Sequence, residues 1–142
     1  MYFAVLIFIN LFLVNITFVF GESMVPTLKD KQIALVLKVG TDYKYNDLVI
    51  TNSQNPLGTH LVKRVVAVGG DHLVMDGHQI FLNGELLQEV YLAEEATYAE
   101  RLELTVPEKS VFLMGDNRNF SKDSRDIGPI PVSDIIGKLI LY

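Results

Sequence analysis

The chain contains no cysteine among its 142 residues. This absence excludes disulfides, thiolate nucleophiles and zinc sites built from thiolates. Basic residues are also too few to make a basic protein, because the net charge is −5. A nucleic-acid binder needs a basic face to neutralise phosphates, so we expect no nucleic-acid partner. The length suits one domain with a modest core, and no internal repeat is evident.

The first twenty residues carry no charged side chain. An uncharged apolar run of about 18 or more residues is typical of a transmembrane helix. A cleavable signal peptide would begin with basic residues and end at a small-residue cleavage site, and neither is present. We therefore predict a transmembrane anchor over residues 1–16, and its shortness suggests a truncated or internal start. The β-branched and aromatic segment 14–20 also suits a strand.

Beyond the anchor, short β-type runs alternate with turn residues, which predicts a mainly antiparallel β domain over residues 17–142. The dipeptides Asp76-Gly77 and Asn83-Gly84 are hairpin signals. The acidic segment 89–108 is interpreted as a solvated loop or short helix. With the two hairpins it would form a small cap on the main sheet, over about residues 72–109. The predicted strands cover residues 32–39, 47–51, 61–68, 74–75, 79–82, 85–87, 110–114 and 138–142.

A serine follows the anchor directly, within the segment 21–27. Pro26 restricts Val25 to extended conformations, and Gly21 frees the backbone two residues before Ser23. This combination would present the serine in a bend with exposed N–H groups. The local pattern alone is also typical of an ordinary turn serine.

A lysine lies within the strongest predicted strand, residues 61–68. Side chains alternate along a strand, so Lys63 would be the only charge on a face shared with Leu61 and Val65. The opposite face also carries one basic residue, Arg64. Burial would lower the pKa of Lys63 towards the range in which an amine acts as a base. A half-exposed lysine that reaches water is the more common structure for such a pattern.

A third polar segment, residues 115–125, follows an apolar strand and is dense in small polar and ionic groups. A surface turn with an Asp–Arg pair has the same composition. In either case Asp123 and Arg125 are expected to brace the loop without touching substrate.

Together these three segments resemble the type I signal peptidase family, in its compact bacterial form. Gly69 stands where a proline is common in the family, and Asn46 where a glycine is common. The motifs occur in the family's order as Ser23-Met24-x-Pro26-Thr27, Tyr45-Asn46-Asp47-Leu48-Val49-Ile50, Lys63-Arg64-Val65 with Gly70-Asp71, and Gly115-Asp116-Asn117-Arg118 with Ser121 and Asp123-Ser124-Arg125.

The resemblance implies an antiparallel β-sheet catalytic domain of the signal-peptidase and LexA-like type, with an N-terminal transmembrane helix and a small cap. It implies a membrane-bound serine endopeptidase that removes signal peptides from secreted preproteins after small residues, at A-x-A sites. Ser23 would be the nucleophile and neutral Lys63 the general base. The partners would be preprotein signal peptides and the lipid bilayer, without metal or cofactor. The chain would span the plasma membrane once, with the catalytic domain on its extracytoplasmic side.

Further roles follow from the same resemblance. The oxyanion hole would combine the Ser23 N–H with a donor near Gly21, which lacks a hydroxyl of its own. The Ser121 hydroxyl would hold the lysine amine in position. The remaining site residues would be Asp116, Asp123 and Arg125 as structural support, and Met24 and Val62 as walls of a small-residue pocket.

Other functions have weaker support in the sequence. A Ser–His hydrolase would use His60, His72 or His78, but no serine motif is coupled to any of them. A metal site at His72 and His78 is disfavoured, because a turn at Asp76-Gly77 would keep the two rings apart. LexA-type repressors carry a DNA-binding domain where this chain has its apolar run. The main alternative is a non-catalytic accessory protein or chaperone in surface-protein assembly.

Overall fold

The computed structural model describes residues 13–38, 40, 42–92 and 94–142. Within these residues, eleven strands form two antiparallel sheets, and one short α-helix, α1 (Ser124–Ile127), follows the ninth strand. The strands are β1 (Val14–Phe18), β2 (Ile33–Leu37), β3 (Leu48–Thr51), β4 (Val62–Val68), β5 (His72–Gly77), β6 (Gln79–Leu82), β7 (Glu85–Leu86), β8 (Tyr98–Thr105), β9 (Ser110–Met114), β10 (Ile130–Pro131) and β11 (Ile135–Leu141).

The larger sheet has the strand order β1-β2-β11-β3-β4-β9-β10. The predicted strands at 32–39, 47–51, 61–68 and 110–114 are confirmed by β2, β3, β4 and β9. The last predicted strand, 138–142, begins earlier than expected, since β11 starts at Ile135. The fold is therefore mainly antiparallel β, as predicted.

Strand β4 is buried on both faces. Val65 and Val66 point to opposite faces, and both are fully buried. Val65 packs with Val49 and Leu113 in one core cluster, whereas Val66 belongs to the core that the two sheets share. A strand covered on both faces removes its polar side chains from water as well, and this decides the properties of the site described below.

The smaller sheet has the order β7-β6-β5-β8, and its strands lie within the predicted cap, residues 72–109. The predicted Asn83-Gly84 hairpin is confirmed. Phe81 pairs with Leu86 across it, and both turn residues have positive φ, 53° and 85°. Two consecutive positive φ angles are the geometry of a type I′ turn, which suits the twist of the flanking strands.

The other predicted hairpin turn, Asp76-Gly77, is wrong by one residue. Asp76 pairs with Gln79, so the turn residues are Gly77 and His78. This register places Met75 opposite Ile80, and both side chains are 1% exposed. Burial of that pair selects the register, because a shift of one residue would turn the apolar set towards solvent.

The prediction of a loop or helix over 89–108 is wrong for residues 98–105, which form β8. The strand pairs with β5, and its Leu102 and Leu104 pack against the shared core. The charged residues that alternate with these leucines, Arg101 and Glu103, face solvent and pair with each other at 2.6 Å. The acidic composition therefore marks one face of a strand and not a loop.

Part of the predicted anchor is a strand. Residues 1–12 lie outside the described part of the chain, but Val14–Phe18 forms β1 and pairs with β2, from Val14 with Leu37 to Phe18 with Ile33. The β-branched composition of segment 14–20 accounts for this outcome. Among the described residues, none of the helices has the length and apolar character needed to cross a bilayer.

Candidate active site

Ser23 lies in the turn that connects β1 with β2, and its neighbours fix the turn in the core. Met24 and Leu28 are 1% and 0% exposed, and the Leu28 N–H donates to the Met24 carbonyl at 2.9 Å. Gly21 has φ = +87°, a backbone conformation that favours glycine. Met24 was expected to line a substrate pocket, but its side chain belongs to the core, because the turn needs an apolar anchor there.

Lys63, the second residue of β4, contacts Ser23 directly. Lys63 Nζ lies 2.6 Å from Ser23 Oγ, which is within hydrogen-bonding distance, although 40 positions separate the residues in sequence. Lys63 is only 4% exposed. A serine hydroxyl and a buried amine at this distance can exchange a proton.

The surroundings of Lys63 favour its neutral form. Burial lowers the pKa of Lys63 below the ordinary value of about 10.5, and the positive charge of Arg125 acts in the same direction. The carboxylates of Asp123 and Asp116 oppose this shift without cancelling it. Removal from water disfavours an ammonium ion more than these partners stabilise it.

Arg64, the residue after Lys63, forms a buried ion pair with Asp116. Its Nε and Nη2 atoms donate to the two carboxylate oxygens at 2.8 and 2.7 Å, and the Thr27 hydroxyl donates to the same carboxylate. This bidentate pair joins β4 to the loop after β9 and to the turn that carries Ser23. The prediction from sequence did not include Arg64 in the site. The available signal was its position as the one basic residue on the strand face opposite Lys63.

The loop after β9 also holds the backbone of Ser23. The Asn117 N–H donates to the Ser23 carbonyl at 2.9 Å, and the Asn117 side chain donates to the Glu22 carbonyl at 3.1 Å. Gly115 passes so close that a Cβ atom there would lie 2.5 Å from the Ser23 carbonyl oxygen and 2.6 Å from the Ser121 Cβ. Only glycine permits this approach.

Asp123 organises the other half of that loop. Its carboxylate accepts the Gly115 N–H at 2.9 Å and the Ser121 hydroxyl at 2.7 Å, and Arg125 Nε donates to it at 2.8 Å. It also caps α1 in a capping box with Asp126. The role of Asp123 and Arg125 in bracing the loop stays a prediction, and these contacts are the ones it would use. The Ser121 hydroxyl is directed to Asp123, so its role in positioning Lys63 stays a prediction.

The backbone donors around Ser23 differ in their availability. The Gly21 N–H, expected to contribute to the oxyanion hole, donates to the Asp30 carboxylate at 2.8 Å. It is therefore engaged elsewhere in this conformation. Among the residues that the structure describes, the Ser23 N–H has no acceptor of its own, and it remains free for an incoming oxyanion.

A cleft of about 680 Å³ opens beside the Ser23–Lys63 pair. It runs between β1 and the segment that leads into β4, and Val62 is among the residues that line it. The role of Val62 as the wall of a substrate pocket stays a prediction. His60 lies in the same cleft with Nδ1 2.8 Å from the Thr51 carbonyl oxygen. Within the described residues, no His–Ser23 hydrogen bond is formed, and the wall of the cleft is mostly apolar.

The sequence model of one family, described as signal peptidase, peptidase S26, matches residues 1–142. The chain belongs to this family. It is 36% identical over 118 residues to a signal peptidase I of Bacillus amyloliquefaciens, an alignment that covers 75% of this chain and 62% of the relative. It is 35% identical over 153 residues to signal peptidase I P of Bacillus subtilis subsp. natto, covering 94% and 82%.

The fold is similar to that of a solved member of the signal peptidase family. The crystal structure of a signal peptidase I from Enterococcus faecalis V583 matches with a TM-score of 0.60 and 27% identity. The match covers 70% of this chain and 97% of the solved chain. This chain therefore has the antiparallel β fold of a signal peptidase I, and it is a member of a family of peptidases.

Proposed function

We propose that this chain is a serine endopeptidase that removes N-terminal signal peptides from secreted preproteins, with Ser23 as the nucleophile and Lys63 as the general base. The observation that carries the proposal is the 2.6 Å distance between Lys63 Nζ and Ser23 Oγ in a site that buries the lysine. The names of the relatives, all signal peptidase I, support the substrate class.

The reaction starts from neutral Lys63, to which the Ser23 hydroxyl donates a hydrogen bond. As Oγ attacks the scissile carbonyl carbon, its proton moves to Nζ, and the resulting ammonium then protonates the leaving amine. The products of this half are an acyl-enzyme ester and the mature protein. Neutral Lys63 next takes a proton from water as that water attacks the ester. The proton then passes to Ser23 Oγ, and the cleaved signal peptide leaves as a carboxylate.

The unoccupied N–H of Ser23 supports a role in stabilising the tetrahedral oxyanion. A backbone donor fixed before the reaction stabilises developing negative charge without reorganising. The Asn117 N–H donates to the Ser23 carbonyl at 2.9 Å, and the Asn117 side chain donates to the Glu22 carbonyl at 3.1 Å. These two contacts keep the peptide groups on either side of Ser23 in one orientation. We propose a hole centred on the Ser23 N–H, and the engaged Gly21 N–H does not contribute.

The cleft supports binding of an extended peptide. Strand β1 is at the edge of the larger sheet within the described chain, so one row of its backbone groups has no partner strand there, and its residues line the cleft. An extended segment adds to such an edge through main-chain hydrogen bonds, and side-chain pockets then give specificity. Val62 would be one wall of a pocket for the small residues of an A-x-A site.

We further propose that the catalytic domain works on the extracytoplasmic surface of the plasma membrane. The part of residues 1–16 that precedes β1 would anchor it there. Ile16, Phe18 and Phe20 are 68%, 54% and 75% exposed and all line the cleft. An exposed apolar patch of this kind suits contact with lipid or with the apolar part of a signal peptide.

The test is a processing assay with the full chain in membranes and a preprotein substrate, comparing the parent with Ser23→Ala and Lys63→Ala. Both variants should lower cleavage by at least about 10³-fold, because the nucleophile and its base act as a unit. The matched controls are Ser53→Ala and Lys122→Ala, which change exposed residues of the same types and should leave cleavage unchanged.

Cleavage by Ser23→Ala and Lys63→Ala at the parental rate would refute the proposed pair. Absence of cleavage by the parent, with folding confirmed, would favour the accessory or chaperone function instead.

A further inference from the structure

Glu89 and Tyr91 belong to the segment between β7 and β8, which we call the strap (residues 87–92). The strap is part of the smaller sheet's connections, yet both side chains reach the loop after β9. Glu89 pairs with Arg118 of that loop, and the two side chains are 11% and 1% exposed. The strap therefore links the smaller sheet to the loop that holds Ser23.

Every N–H group of the Arg118 guanidinium has an acceptor within the described residues. A guanidinium offers five donors, and a buried one is stable only when they are satisfied. Burial alone would lower the pKa of Arg118, but the Glu89 carboxylate outweighs it and keeps the pKa above its ordinary value. The acceptors are Glu89 Oε2 at 2.8 Å, Glu89 Oε1 at 2.6 Å, Tyr98 Oη at 2.7 Å, Tyr91 Oη at 3.4 Å and the Gly115 carbonyl at 3.0 Å.

The last of these contacts connects the strap to the nucleophile. Arg118 Nε donates to the Gly115 carbonyl, which fixes the peptide group that follows Gly115. Two residues later the Asn117 N–H donates to the Ser23 carbonyl at 2.9 Å. A displacement of Arg118 would therefore shift the turn that sets the backbone orientation of Ser23.

Tyr91 also connects the strap to β4, the strand that carries Lys63. The Arg64 guanidinium lies over the Tyr91 ring, 3.9 Å from its centroid, and Arg64 is the neighbour of Lys63 in β4. The Tyr91 hydroxyl donates to Glu89 Oε1 at 2.8 Å. The Glu89 carboxylate thus orients Arg118, which contacts the loop that holds Ser23. It also orients Tyr91, which packs against Arg64.

We propose that Glu89 is a positioning residue, which acts through Arg118 and Tyr91 to hold Ser23 and Lys63 in reactive register. The proposal rests on the proposed function of this pair. It assigns to the smaller sheet a part in catalysis, since that sheet carries the strap. Glu89 itself touches neither substrate nor the reacting atoms.

The experiment measures kcat and KM of Glu89→Gln in the full chain, at a temperature where the variant is folded. The variant keeps the shape of the side chain and removes its charge. A misplacement of reacting groups on the ångström scale lowers rates by up to about 100-fold, so we expect kcat to fall about 10- to 100-fold. KM should stay within about twofold, because the cleft itself is unchanged.

Two controls separate positioning from stability. Ile80→Ala removes a core side chain of the same sheet that is 1% exposed, and it should lower the Tm while the folded enzyme keeps its parental kcat. Glu103→Gln removes an exposed carboxylate of β8 and should leave both quantities unchanged. A parental kcat in Glu89→Gln would overturn the proposal, and so would an equal loss of kcat in Ile80→Ala.

A second variant keeps the test decisive if Glu89→Gln does not fold. Glu89→Leu combined with Arg118→Met removes both charges, and such replacements often preserve folding. A folded double variant with parental kcat would overturn the proposal, whereas a low kcat with parental KM would support it. Ser23→Ala distinguishes this outcome from failure of the proposed function, since full activity of that variant would refute the function whatever Glu89 does.

Discussion

Replacing Asp116 by asparagine removes the negative charge from an ion pair in which both side chains are almost wholly buried, 0% exposed for Asp116 and 8% for Arg64. The Arg64 guanidinium would then lie in the interior without a counter-ion, and an amide N–H group would face its donors. Breaking a buried pair in this way costs about 3–5 kcal/mol. The free energy of unfolding of a single domain is about 5–15 kcal/mol, so the variant would lose a large share of its stability.

The assay is urea unfolding of the full chain in detergent, followed by circular dichroism and by tyrosine fluorescence. The chain has six tyrosines and no tryptophan, so the fluorescence signal comes from tyrosine. A loss of about 3–5 kcal/mol corresponds to a change of about two to four powers of ten in the folding equilibrium. The urea concentration at the unfolding midpoint should fall markedly, while m, the slope of the unfolding free energy against urea concentration, should change little.

The matched control is Asp76→Asn, which breaks an exposed pair with Arg101 whose side chains are both 56% exposed. Solvent and side-chain entropy weaken exposed pairs, so the midpoint should barely move. Asp116→Leu combined with Arg64→Met should recover most of the loss, because neither member of the buried pair is left as an uncompensated charge. Equal midpoints for Asp116→Asn and Asp76→Asn would refute the argument that burial makes the Arg64 pair decisive.

Two further predictions follow from the site, and a third concerns the smaller sheet. The ratio kcat/KM should rise with pH through the lowered pKa of Lys63 and level off above it, since only the neutral amine accepts a proton. Arg125→Gln removes a positive charge that lowers this pKa, so it should move the rising part of the pH–rate profile to higher pH. Gly115→Ala should abolish cleavage in the processing assay, since its Cβ would lie 2.5 Å from the Ser23 carbonyl oxygen, and wild-type activity would contradict the close approach. Gly84→Ala should lower stability by about 1 kcal/mol in thermal unfolding, because φ is +85° there, while kcat stays parental.

Much of the larger sheet was predictable from the chain alone. The runs that became β2, β3, β4 and β9 are rich in Val, Ile and Leu and lie between turn residues, so local pattern and tertiary structure agree. β8 was missed because its charged residues dominate the composition, while its alternating leucines meet a core that only the paired strand β5 completes. The hairpin after β5 was misplaced by one residue for a related reason, since burial of Met75 and Ile80 selected the register.

The ordered motifs of the sequence predict which residues make up the candidate site, because the types and spacing of Ser23, Lys63 and the 115–125 loop are visible without coordinates. Tertiary structure decided their chemistry. Burial on both faces of β4 lowers the pKa of Lys63, and the same burial makes the charge of Arg64 depend on Asp116. Tertiary structure also brings Glu89, from a distant segment of the chain, into contact with Arg118. Desolvation and long-range charge pairing depend on what covers a residue in space, and a linear pattern does not specify that covering.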